Sequence, residues 1–155
     1  MAFGALSVKG RALRYLAQRE HSRLELERKL APHVADLPDA PAQAQIAAAL
    51  DELTARGLLS EQRVADSVLS SQGQRFGSRR LKQTLQAKGL PAEMVAQTLQ
   101  QARGTELERA REVWQRRFGC PAADATERAR QMRFLAGRGF DGDVIRRVVK
   151  ATDED

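Results

Sequence analysis

The chain has 155 residues, with 26 Lys and Arg against 20 Asp and Glu, 42% hydrophobic and 5% aromatic residues, and one cysteine, Cys120. An intrachain disulfide is therefore excluded, which fits a reducing compartment, and neither a secretory core in Met1–Gly10 nor an apolar run near the ~20 residues of a membrane span can be found. The expectation is one compact cytoplasmic domain or a short repeat array, whose net charge of +6 favours polyanionic partners, either nucleic acid or an acidic protein groove.

In chain order, apolar residues recur at helical spacing. Leu26 and Leu30 lie one turn apart, as do Leu81 and Leu85, and Val95 and Leu99; Ile46, Leu50 and Leu53 follow the i, i+4, i+7 rule, and Leu107, Ala110 and Trp114 form another stripe. Runs of period-two alternation are missing, so strands are not expected. Ser22 with Glu25 and Thr105 with Glu108 read as capping boxes. Ser60, Ser78 and Asp141 read as N-caps, Pro91 as a first-turn residue, and Gly57, Gly89, Gly104 and Gly119 as helix ends. The predicted helices span 7–20, 23–33, 42–56, 61–74, 79–88, 91–102, 106–118, 125–138 and 142–151. The segments 35–40 and 120–124 read as loops, and the acidic tail 152–155 as frayed.

An internal repeat organises these helices. At an offset of 64 residues Phe76 meets Phe140, Leu81 meets Ile145 and Leu85 meets Val149; at an offset of 55 His21 meets Phe76, Leu26 meets Leu81 and Leu30 meets Leu85. A helix, a tight turn and a helix with an i, i+4 aliphatic pair thus occur three times. The predicted fold is all-α, with about nine short helices in three tandem three-helix units that stack into an elongated array. The units are 1–56, 57–104 and 105–155.

The middle of the chain reads Gly57-Leu58-Leu59-Ser60, Arg63-Val64-Ala65, Arg75-Phe76-Gly77, Arg79-Arg80-Leu81 and Lys88-Gly89-Leu90. This succession resembles the central signature of the RecX family. The opening (Ala12, Leu13, Leu16, Arg19, Ser22, Leu26 to Leu30) is similar to the family's first unit. Arg117-Phe118-Gly119, Phe134-Leu135 and Arg138-Gly139-Phe140 are similar to its third. Val64 replaces the family's usual aromatic, and Gln83 a common acid, which leaves this middle segment more basic than in typical relatives. The resemblance implies a tandem array of three-helix units. It also implies a regulator of DNA repair, recombination and the SOS response that binds RecA–single-stranded DNA filaments and inhibits ATP hydrolysis, strand exchange and coprotease activity.

The charge distribution points to the same segment. Residues 1–56 carry 8 positive and 7 negative charges, residues 57–104 carry 7 and 3, and residues 105–155 carry 11 and 10. Between Ser67 and Ala92 no acid interrupts Arg75, Arg79, Arg80, Lys82 and Lys88. These five residues form the candidate binding face, able to meet phosphates or acidic side chains through salt-dependent pairing. The run Arg109, Arg111, Arg116 and Arg117 interleaves with Glu106, Glu108 and Glu112 and reads as a self-neutralised exposed helix. Arg128, Arg130, Arg133 and Arg138 form a third basic run. Phe76, Phe140, Trp114 and Tyr15 read as core residues rather than base-stacking platforms. His21 and His33 have no accompanying ligands, so no metal is expected, and no cofactor motif or catalytic constellation is present. The reading is thus a non-enzymatic, monomeric regulator whose partners are a RecA filament and, weakly and salt-dependently, single-stranded DNA. The alternative is a helical DNA-binding module with helix-turn-helix-like hairpins that acts without RecA.

Overall fold

The structure, a computed structural model, describes residues 6–153; Glu154 and Asp155 of the expected acidic tail lie outside the described residues. The described residues are all-helical: α1 (Val8–Gln18), α2 (Arg23–Leu30), a 3-10 turn (Ala31–His33), α3 (Ala42–Ala55), α4 (Glu61–Gln72), α5 (Ser78–Ala87), α6 (Ala92–Arg117), α7 (Ala125–Gly137) and α8 (Gly142–Asp153). Among the described residues β-type pairing is limited to an isolated bridge between Leu37 and Ala40 in the loop before α3. None of these helices is long and apolar enough to cross a membrane.

Eight α-helices stand where about nine were expected from periodicity, because the stretches 91–102 and 106–118 form one helix, α6. Gly104 and the pair Thr105/Glu108 look like a helix end followed by a capping box, yet the helix runs through them. Burial overrides the local signal: Ala102, Glu106 and Ala110 lie inside on successive turns, while Gly104 is exposed. A mid-helix glycine costs about 1 kcal/mol relative to alanine, a penalty the flanking packing outweighs.

The fold divides into two compact units, Met1–Val64 with Lys88–Leu90, and Ala65–Ala87 with Pro91–Asp155. In the first, α1, α2 and α3 pack on one another around Ala12, Leu26, Leu30, Ile46, Leu50, Leu53 and Leu59. The predicted Ser22–Glu25 capping box starts α2, with both reciprocal hydrogen bonds formed. Before it, His21 is completely buried. Its Nδ1 lies 3.0 Å from the Arg19 carbonyl oxygen and must donate a proton there, which leaves Nε2 as the acceptor of the Lys29 ammonium at 2.8 Å. The ring is therefore the neutral Nδ1–H tautomer. Desolvation first, then the nearby Arg19 and Lys29 charges, lower its pKa. The Glu25 carboxylate accepts from Arg19 at 2.6 Å and from Lys88 at 3.0 Å; these bonds and the Ser22 N–H outweigh the opposing desolvation and bring it down to about 2.

In the second unit, α6 carries α5, α7 and α8. Ala110, Val113, Trp114, Leu135, Phe140, Ile145, Val148 and Val149 form its distal core. The Trp114 indole N–H donates to Gln131 Oε1 at 2.9 Å, which satisfies the polar edge of a buried ring.

Glu106 does not belong to an exposed, self-neutralised surface, contrary to what its sequence neighbourhood suggests. It is 2% exposed, and its carboxylate accepts from the Ser78 N–H (3.1 Å), the Ser78 hydroxyl (2.8 Å) and the Asp141 N–H (3.2 Å). Ser78 therefore serves α5 as a donor to α6 rather than as an N-cap. Arg109, one turn later, donates to the Gly73, Phe76 and Ala102 carbonyls at 2.6–2.7 Å. The two tight turns, before α5 and before α8, also join directly: Gly77 N–H meets Arg138 O at 2.9 Å, and Arg79 N–H meets Gly139 O at 3.0 Å. A Cβ on Gly77 would lie 2.4 Å from Phe140 Cα, and one on Gly139 (φ 85°) 2.5 Å from Arg80 Cβ. Both positions need glycine because backbone approaches backbone there.

Three outcomes follow for urea unfolding. Glu106→Gln, which replaces an acceptor-only carboxylate by an amide that presents donors to donors, is expected to lower stability by about 1–3 kcal/mol; an unchanged midpoint would refute the role given to this residue. Gly104→Ala should raise stability by ~0.5–1 kcal/mol, since a Cβ there meets nothing within 4 Å. Because the folded pKa of His21 lies below the ordinary value of 6.5, the unfolded chain binds the extra proton first, and stability should fall as pH drops below 6.5. Glu25 adds a further loss as pH drops below its ordinary value of 4.5 towards its folded value of about 2, whereas Glu61, raised by burial, acts in the opposite direction. Comparison with His21→Gln cancels the carboxylates, so its stability should vary less than the native chain's between pH 7 and pH 5.

Candidate functional site

The turn between α4 and α5 gathers most of the cations expected to form a binding face. α5 begins at Ser78 because Gly77 allows the close approach to the partner turn and because Glu106 receives the first helical N–H and hydroxyl. Leu81 and Leu85 point inward and are buried. Arg79, Arg80 and Lys82 are thereby left exposed within the first turn and a half. No acid occupies the first turn of α5. Among the described residues no ion pair to Arg75, Arg79, Arg80 or Lys82 is formed. Positive side chains at a helix N-terminus oppose the helix dipole by roughly 0.3–1 kcal/mol each, so this arrangement is not one that folding stability selects. The Ser78 and Arg79 N–H groups are taken by Glu106 and Gly139, so the positive potential outside the turn comes from the side-chain cations.

Phe76 gives the cluster its geometry. Its ring is half-buried and lies under Arg80 (4.1 Å from ring centroid to guanidinium carbon), Arg75 (5.3 Å) and Arg138 (5.6 Å). Phe140, its counterpart in the repeat, is 1% exposed and fulfils the expected core role; Phe76 instead supports three guanidiniums. Cation–π contact fixes the plane of each guanidinium while its N–H edge stays available. The period of the sequence placed Phe76 in a core. The signal that could have separated it from Phe140 is its run of flanking arginines, Arg75, Arg79 and Arg80.

Lys88 differs from the other four predicted residues. It forms an ion pair with Glu25 at 3.0 Å, with both side chains about one-fifth exposed (21% and 17%), and its charge is neutralised inside the first unit. Arg138, assigned to a separate basic run in the sequence, joins the Phe76 cluster instead. Arg130 pairs with Glu127 at 3.2 Å. Of the run on α6, Arg109 is turned inward, and Arg116 approaches Glu112 only at 3.9 Å with both side chains 65% exposed, a pair worth little in water. Cys120 is exposed.

Comparison with known proteins identifies the lineage of this arrangement. A family model described as "RecX, second three-helix domain" matches residues 60–99, and one described as "RecX, third three-helix domain" matches residues 105–149. A regulatory protein RecX from Leptothrix cholodnii is 55% identical over 150 residues, spanning 97% of this chain and 92% of the relative. The regulatory protein RecX of Chromobacterium violaceum is 44% identical over 155 residues, covering 100% of this chain and 97% of its own length. The crystal structure of RecX from Lactobacillus salivarius superimposes with a TM-score of 0.77 over 96% of both chains at 19% identity, a likeness of fold. By the two matched segments and by identity along nearly its whole length, the chain belongs to the RecX family of regulatory proteins.

Proposed function

We propose that this chain regulates a RecA recombinase: it binds the RecA filament on single-stranded DNA and inhibits ATP hydrolysis, strand exchange and coprotease activity. The observation that carries the reading is the clustering of four cations around the start of α5 (Arg75, Arg79, Arg80 and Lys82), which form no ion pair among the described residues and gather beside the half-buried Phe76 ring. Membership of a family of regulatory proteins supports it. Contacts from this face to filament phosphates or acidic side chains are salt-dependent. Contacts that bridge filament subunits oppose the subunit motions that hydrolysis and strand exchange require. In this reading the chain acts as a monomer without metal or cofactor, with DNA contributing weakly to affinity. In this reading the stretches 1–56, 57–104 and 105–155 are three tandem repeats, the last two of which share the continuous helix α6.

The test is ATP hydrolysis by a bacterial RecA on single-stranded DNA with this protein titrated in. The native chain should inhibit well below one copy per RecA subunit, and Arg79→Glu with Arg80→Glu should raise the half-inhibitory concentration on the order of tenfold, about 1.4 kcal/mol, with an unchanged melting temperature. Unchanged inhibition by the double variant would remove α5 from the contact surface. No inhibition by the native chain at any salt or DNA concentration would overturn the function itself, and selective binding to one duplex without RecA would favour the autonomous helix-turn-helix reading.

A further inference from the structure

A cleft of about 290 Å³ opens in the second unit beside the Phe76 cluster, lined by Arg75, Arg116, Arg117, Arg138, Phe134, Val113 and Gln74. Four of its seven lining residues are arginines and none is an acid. Arg117 and Arg138 lie over the Phe134 ring at 5.4 and 5.2 Å, and Arg138 also reaches Phe76. Phe134 is itself held edge-on by Phe118 at 5.4 Å and 87°. Two of the four guanidiniums, those of Arg117 and Arg138, are thus stacked on an aromatic ring that a second ring meets at its edge. Among the described residues Arg75, Arg117 and Arg138 make no ion pair, and Arg116 has only the 3.9 Å approach to Glu112, which is not part of the lining.

We propose that this cleft is a phosphodiester-binding site that takes one nucleotide unit of single-stranded DNA. Three features separate it from a solvated basic surface. Its four guanidiniums border one open, shallow cleft, an arrangement of like charges that repels itself until an anion enters. Its cations are arginines, whose planar forks bind phosphate oxygens in pairs. Its wall holds Phe134 and stacked guanidiniums, the kinds of surface on which unpaired bases stack. The volume lies at the small end of ligand pockets, matching a single sugar–phosphate rather than the convex cylinder of a duplex. An acidic protein segment is the competing occupant; a carboxylate brings one charge to four guanidiniums, whereas consecutive phosphates along a strand supply charge for each in turn.

The inference builds on the filament reading, in which single-stranded DNA lies within reach, and its first test measures oligonucleotide binding without the recombinase, so that the two fail separately. Fluorescence anisotropy of a labelled oligodeoxythymidine is titrated with the native chain, with Arg75→Glu/Arg117→Glu, and with the milder Arg75→Gln/Arg117→Gln, each checked by thermal melting. The charge-reversed variant should bind on the order of tenfold or more weakly. The neutral variant should show a shallower salt dependence, by ~0.7 in the log–log slope for each phosphate no longer neutralised. A blunt duplex of equal length should lose less affinity than the single strand. Native affinity and slope in the neutral variant, with an unchanged melt, would overturn the proposal. So would a variant that keeps its oligonucleotide affinity but loses binding to DNA-free recombinase, which would assign the cleft to an acidic protein surface. If the native chain binds the oligonucleotide through these arginines yet leaves RecA hydrolysis untouched, the cleft stands and the filament reading falls.

Discussion

The buried carboxylate of Glu106 is the constraint around which the second unit is built. Three donors from two different turns converge on it, and the turns exchange two backbone hydrogen bonds where Gly77 and Gly139 let them touch. A carboxylate placed inside a protein is costly unless its lone pairs are met by donors. Here the donors are the first N–H and hydroxyl of α5 and the N–H of the residue preceding α8. One side chain on the long helix α6 therefore sets where two other helices begin. Arg109, a turn further on, closes the carbonyls of the same region, at Gly73 and Phe76, so both the donors and the acceptors of the α4–α5 turn are answered from α6.

This explains how the exposed start of α5 can be so basic. An acid in the first turn of a helix complements its dipole locally. α5 takes its negative charge from Glu106, beneath the helix, and its own first residues are released from that duty. Arg79, Arg80 and Lys82 consequently face outward without a local acid, and Arg75, Arg80 and Arg138 settle on the Phe76 ring. The buried hydrogen bonds below and the exposed cations above share the same turn, where Gly77 and Gly139 let the two backbones meet.

The all-helical class and most helix boundaries were legible because amphipathic spacing reports burial directly: Leu26/Leu30, Leu81/Leu85 and Ile46/Leu50/Leu53 are all in the interior. What was hidden follows a single physical pattern. Gly104 and Thr105/Glu108 carry strong local signals for a break, but the tertiary environment of Ala102, Glu106 and Ala110 decides otherwise. Glu106 and Arg109 sit in a charge-alternating run that would pair at i, i+4 spacing in an isolated helix, and sequence alone does not reveal that two turns need them. The cations of the candidate site were legible as a stretch without acids; that Lys88 is neutralised by Glu25 and that Arg138 joins from beyond the end of α7 depends on contacts distant in the chain.

The copies of the repeat differ at one telling position. The position before the aliphatic pair is His21 in one hairpin, Phe76 in the next and Phe140 in the last. In the first it is a buried neutral imidazole tied to Arg19 and Lys29; in the last it is a phenyl ring sealed in a core. Both solutions turn the residue inward and serve stability. Only the middle copy leaves its ring half-exposed and surrounds it with guanidiniums that no acid neutralises. A position that two hairpins use for packing and one uses to display charge is under a demand other than folding there. That contrast singles out Phe76 and its arginines as the part of the shared helical scaffold to which the proposed contact with a polyanion is assigned.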